Sequence, residues 1–334
     1  MALRLLEIFA PAPTVEGVRR VLEAVSPVGV WEQTLDDDRK RITVVIDGTK
    51  VGQVTDDLVA RNADHRGFRV VLVPVTATMP RPEATPATGH AARAALPLRG
   101  VSISREELYE DLSAAIRSWP LFLTMAALST LVAALGIVRE NTAAIIGAMV
   151  IAPLLGPNMA LALATTLGDL ALARRALLRN AGGLAAAIAV GVAVGLVANV
   201  DPEGRELAAR TMVGFADIGL ALAAGVAGAL AFTSGLSATL VGVMVAVALI
   251  PPTATVGLVL GAGYGHLAED AALLLVVNVI CVNLAAVTTF LVQGVHPSAW
   301  WERTRARRTA WTVVGAWIAL LLTAAIFIMV TGSG

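Results

Sequence analysis

From residue 119 to the C-terminus the apolar positions run in long blocks with almost no charge inside them, whereas residues 1–78 alternate short β-rich runs with stretches of helical period. In the first region "LRLLEIFA", "VGVWEQTL", "RITVVIDG" and "FRVVLVPVTA" read as strands. "TVEGVRRVLEAV" reads as a helix with Val15, Val18, Leu22 and Val25 on one face, and "VGQVTDDLVARNA" as a second. The order βαββαβ predicts an α+β ferredoxin-like domain, two helices covering one face of an antiparallel sheet. It has no phosphate loop and no metal-ligand cluster, so self-pairing or a scaffold role is expected of it, with small-ligand sensing as the alternative.

Residues 79–103, beginning "MPRPEATPATGHAARAALPLRG", are rich in Pro and Ala without periodicity and read as a linker. Residues 104–118 then read as an amphipathic juxtamembrane helix. Ser104 and Glu107 stand at capping-box spacing, and Leu108, Leu112, Ile116 and Trp119 follow one helical face.

The transmembrane domain is expected over 119–334, as seven spans near 119–138, 142–168, 180–200, 215–233, 237–263, 270–293 and 311–331. Trp119, Trp300, Trp301 and Trp311 fall at span ends, where indole favours the interface. Arg174, Arg175 and Arg179 follow the second span, and Arg303, Arg305, Arg307 and Arg308 the sixth, which makes both loops cytoplasmic. The N-terminal domain is then expected on the cytoplasmic side of the cell membrane and the C-terminus outside.

Composition agrees: 57% hydrophobic residues, only 15% charged residues and a mean hydropathy of +0.75 are too apolar for a soluble domain. The small residues Ala and Gly that fill the spans allow close packing and a homo-oligomer in the lipid bilayer. A formal net charge of zero argues against nucleic acid. The start lacks the apolar core of a cleaved leader, and the single Cys281 excludes an intrachain disulfide.

Two proline pairs interrupt this pattern. "AAIIGAMVIAPLLGPNMALAL" (143–163) lies without a gap over "ATLVGVMVAVALIPPTATVGL" (238–258), with Pro157 meeting Pro252 at an offset of 95 (252 − 157). That offset carries three spans (about 119–200) onto the next three (about 215–295). Because three is odd, the second unit enters from the opposite side. Inverted repeats with interrupted helices at matching places are an arrangement of secondary transporters, whose sites lie near the midplane. Pro153 and Pro157 are expected to break one span, and Pro251 and Pro252 the other. A proline removes a donor and frees carbonyls that need partners in protein or water. Asn158 and Thr253, one residue past the aligned prolines, would add side-chain ligands, and Gly156 lets backbone approach. The structural alternative is that all four prolines only kink packed helices.

At "SREELYEDL" (104–112), "RENTAAIIGAMVIAPLLGPNMALALATTLGD" (139–169) and "SATLVGVMVAVALIPPTATVGL" (237–258) the sequence resembles the uncharacterised hydrophobic domain membrane proteins, domain-of-unknown-function family 389. The resemblance covers the membrane half and implies a prokaryotic membrane protein. It implies no activity and no binding residues.

Function is therefore read from the residues. Charges sit only at span ends, at Arg139, Glu140, Asp169 and Asp217, which disfavours a proton relay at the midplane. Asn278 and Asn283 are further candidates for the solute or ion site; they lie five apart, about 140° round a helix, so one is expected to face the bundle and the other to bond a neighbouring helix, with interhelical bonding the plainer expectation for each. Asp169 and Asp217 are boundary cation candidates, with salt bridges to arginines such as Arg174 as the plainer expectation. Thr142 and Ser237 read as helix N-caps. His266 and His296 fall in loops and Cys281 has no histidine in its span, so no catalytic residue, metal or cofactor is expected and the protein is not read as an enzyme. The leading expectation is a transporter or permease for a small solute or ion, with a cytoplasmic regulatory or oligomerisation domain. An oligomeric ion channel is the alternative, and a membrane-anchored sensor or scaffold the third.

Overall fold

The computed structural model describes residues 3–36, 38–62, 64–75, 78, 104–234, 238–295 and the single positions 315, 317, 319 and 323. The expected linker at 79–103 lies outside the described residues, as does the span at 311–331 apart from those four positions. Ser237, His296, Trp300, Trp301, Trp311 and the arginines at 303–308 also lie outside them.

The chain divides into two units, one built on residues 1–108 and one on 109–297. In the first, β1 (Leu3–Pro11), α1 (Val15–Glu23), β2 (Gly29–Asp36), β3 (Arg39–Asp47), α2 (Val51–Asn62) and β4 (Arg69–Pro74) follow in the expected order. The sheet runs β2-β3-β1-β4 with every neighbouring pair antiparallel. Strand alternation sends Leu6, Ile8, Ala10, Ile42, Val44 and Ile46 to one face, where Val18 and Leu22 of α1 and Val54 and Leu58 of α2 cover them. At the start of α3 (Arg105–Ala115) only half of the expected capping box forms. The Glu107 N–H donates to Ser104 Oγ at 3.2 Å, while the Glu107 carboxylate turns to Arg4 at 3.0 Å.

The second unit continues with α4 (Trp119–Val138), α5 (Thr142–Ile151), α6 (Leu155–Leu167), α7 (Leu170–Val197), the short α8 (Arg205–Ala208), α9 (Phe215–Ser234), α10 (Ala238–Gly261) and α11 (Gly265–Val292). Four of these, α4, α7, α9 and α11, are long and apolar enough to cross a membrane, and α5 with α6 would make a fifth crossing bent by 54°. In α10 the stretch Ala248–Gly261 is a shorter apolar helix. Several helices able to cross a bilayer fit a multi-pass membrane protein.

The third expected span begins ten residues too late. Asp169 caps α7, its carboxylate accepting from the N–H groups of Ala171 and Leu172 at 2.9 and 3.0 Å. The helix therefore runs from Leu170, and Arg174, Arg175 and Arg179 lie on it instead of in a loop.

Glycines set a close approach between α7 and α10. On α7, Gly191 and Gly195 face Gly257 and Gly261 of α10, and a methyl built on Gly195 would stand 2.2 Å from the Leu258 carbonyl oxygen. One on Gly261 would stand 2.3 Å from that of Val192. Backbone meets backbone there, as small residues four apart permit in membrane helices.

The two proline pairs behave differently. Pro153 forces Ala152 into an extended conformation (φ −71°, ψ 124°), which ends α5 and makes the break. Pro157 falls in the first turn of α6, where its missing N–H would have no helical partner anyway. Pro251 and Pro252, by contrast, sit inside the continuous α10, so the expected second break is not observed. In the gap-free alignment Pro153 meets Ala248, so the second unit lacks the proline that makes the first break.

Candidate functional site

In α10, Pro252 cannot donate to the carbonyl four residues back, that of Ala248. Asn278 of α11 replaces that donor, its Nδ2 reaching the Ala248 oxygen at 2.7 Å. Thr253 and Thr255, both fully buried, donate to the Leu249 and Pro251 carbonyls at 2.6 and 2.9 Å. These bonds stay within α10 and give Thr253 a structural task. At the end of α5 the Ala148 carbonyl, which has passed beyond the last helical donor, accepts from Ser129 Oγ of α4 at 2.7 Å.

Beside the break between α5 and α6, three asparagines from three helices meet. Asn283 of α11 donates through Nδ2 to Asn158 Oδ1 of α6 at 3.0 Å, and Asn158 Nδ2 donates to Asn180 Oδ1 of α7 at 3.1 Å. Two carbonyls fix the direction of this chain, because Asn158 Nδ2 also donates to Leu154 at 2.8 Å and Asn283 Nδ2 to Val279 at 2.9 Å. All three side chains are buried, and the chain ends in an acceptor, Asn283 Oδ1, and a donor, Asn180 Nδ2, that have no partner. Asn278 Oδ1 is likewise unpartnered. A buried amide group left unbonded costs about 1–3 kcal/mol, so the cluster stands ready for a polar guest.

Of the residues singled out in the sequence, Asn158 and Asn283 thus come together, while Asn278 and Thr253 stabilise the proline-bearing α10. Gly156 packs against α3, since a methyl there would lie 3.0 Å from Ala115 Cβ. Asn180, the third member, is the first residue of the span expected over 180–200 and follows Arg179, so in the sequence it reads as a boundary residue. Extending the helical period back to a cap at Asp169 would have exposed it.

The boundary aspartates act as backbone acceptors. Asp169, expected to pair with Arg174, caps α7 and accepts from the Tyr109 hydroxyl at 2.8 Å. Burial first, and then this bond and charge, push the Tyr109 phenol above its ordinary value. Asp217 accepts from the Gly214 N–H at 2.9 Å. The cap of α5 is Asn141 and not Thr142, since Asn141 Oδ1 accepts from the Ala144 N–H at 3.1 Å. Thr142 donates instead to Glu206 at 2.5 Å, and that bond, with Arg210 nearby, holds the Glu206 carboxyl below the usual range. No group of three His, Cys, Asp or Glu side chains able to hold a metal occurs among the described residues.

The family model "Domain of unknown function (DUF389)" matches residues 149–284, which include the break and the helices that bring the asparagines together. An uncharacterized protein of Methanocaldococcus jannaschii is 36% identical over 226 residues, covering 68% of this chain and 70% of that relative. No solved structure matches. An identity of that depth and extent, together with the family match over 149–284, places the chain in domain-of-unknown-function family 389.

Proposed function

We propose that the protein is a membrane transporter or permease for a small polar solute or ion, bound at the asparagine chain beside the broken span. The observation that carries this reading is the meeting of Asn158, Asn180 and Asn283 from three apolar helices with two end atoms unpartnered. Interhelical glue needs polar pairs, but it does not need a chain that ends open on both sides. A break in a crossing helix, tolerated only against protein or water, stands at the same place.

Two further features support an inverted repeat as the frame. Asn158 and Thr253, at matching positions, both bond the carbonyl four residues before them. The helices also pair crosswise, α7 with α10 and α6 with α11. In this reading one three-helix unit rocks against the other, the N-terminal domain is cytoplasmic, and it regulates the membrane part or joins copies of it.

The experiment is flux in proteoliposomes, with wild type compared with Asn158→Leu and Asn283→Leu across a panel of small amino acids, sugars and inorganic ions. A transporter gives flux that saturates with concentration and falls at least about tenfold in either variant, the loss of one or two good hydrogen bonds. Flux that rises without saturation would mean a channel. No flux in the wild type, or flux indifferent to both substitutions, would contradict the site.

A further inference from the structure

Next to Asn180 on α7 stands a buried charge that the asparagine chain does not use. Arg179 is only 5% exposed, whereas Arg174 and Arg175 on the same helix are open to solvent. Its guanidinium lies 4.1 Å from the ring centre of Trp119 and 5.7 Å from that of Phe122. Gly182 and Gly183 make room for those rings, since methyls there would stand 2.7 Å from each. One arm of Arg179 donates to the Arg117 carbonyl at 3.2 Å, and the other, Nη1, has no partner. No carboxylate pairs with it among the described residues.

A cation–π contact offsets only part of the cost of burying a guanidinium, and the arginine fork is built to bond two oxygens at once. Arg179 and Asn180, consecutive on α7 and each more than nine-tenths buried, thus carry one unused donor apiece.

We propose that Arg179 and Asn180 form an oxyanion subsite that takes the phosphate or carboxylate group of the solute, with Trp119 as its movable cover. Trp119 is 42% exposed, so turning it opens the guanidinium without unpacking the helix. The assignment to a solute rests on the transport reading; a lipid headgroup presents the same phosphate chemistry.

The test uses the full chain in phosphatidylcholine nanodiscs. Sodium phosphate and sodium acetate are titrated against sodium chloride at fixed ionic strength, following melting temperature and tryptophan fluorescence. A second series replaces phosphatidylcholine in steps by phosphatidylglycerol without added phosphate. Saturable stabilisation by phosphate or acetate is expected, weakened about tenfold or more in Arg179→Gln, less in Arg179→Lys, and unchanged in Arg175→Gln. If Arg179→Gln is poorly folded, Arg179→Lys and Asn180→Leu carry the test. A response confined to phosphatidylglycerol and dependent on Arg179 would keep the oxyanion subsite and overturn its assignment to a solute. No response to either anion source, or one indifferent to Arg179, overturns the subsite.

Labelling of a cysteine at position 158 in the same preparation separates this failure from that of the transport reading. Labelling without an anion response leaves the transport reading standing and removes the subsite. An anion response without labelling does the reverse.

Discussion

Asn278 illustrates how a polar residue in an apolar helix can be structural. It supplies Ala248 with the donor that Pro252 lacks. Asn278→Leu should therefore destabilise the membrane unit by about 0.5–2 kcal/mol, the range of side-chain hydrogen bonds between membrane helices, while leaving flux per folded molecule near wild type. Denaturation in mixed micelles and flux on the same sample check both halves of this prediction. Tyr109 gives a pH signature: its phenol is raised above the usual value near 10 by burial and by Asp169. The neutral phenol is thus favoured in the fold, so this stabilisation is fully present below about pH 10 and is lost as pH rises through the folded-state value. Melting curves above pH 10 should fall more steeply for wild type than for Tyr109→Phe. At this scale the sequence was partly legible. Asn158 and Asn283 stand out as polar residues in apolar runs, but Asn180 follows an arginine and reads as a boundary residue. Asp169 and Thr142 were recognisable as polar positions at helix ends, but their partners Tyr109 and Glu206 lie about 60 residues away in sequence.

Among elements, the contrast between the two proline pairs is the most instructive. One proline ends a helix because the residue before it can turn extended, while the other is absorbed because a neighbouring helix furnishes the missing donor. Prolines in a single sequence mark freed carbonyls but do not say who satisfies them, so a second break was expected where a continuous α10 is found. The α+β domain was legible throughout, because alternation and turn residues act locally and agree with the sheet that forms. The α7–α10 contact was legible only as a composition rich in small residues; which glycines meet depends on the tertiary crossing. Gly195→Ala places a methyl against the Leu258 carbonyl and should cost about 1–3 kcal/mol or prevent folding. Gly147→Ala, with nothing within 4 Å, is the tolerated control. Folded yield by size-exclusion chromatography distinguishes the two.

At the scale of the whole molecule, a βαββαβ domain precedes a helical unit whose apolar helices could cross a membrane and in which three buried asparagines gather beside one broken span. The central claim is that this gathering lies in a cavity reached by water. The direct measurement is thiol labelling of Asn158→Cys in a Cys281→Ser background, with a membrane-impermeant reagent applied from each side in turn and a loop cysteine as control. The account predicts labelling at position 158 that alternates between sides as solute and conditions change. A position 158 that stays unlabelled from both sides while the loop control reacts would mean that the asparagines are packed glue, and would contradict the account.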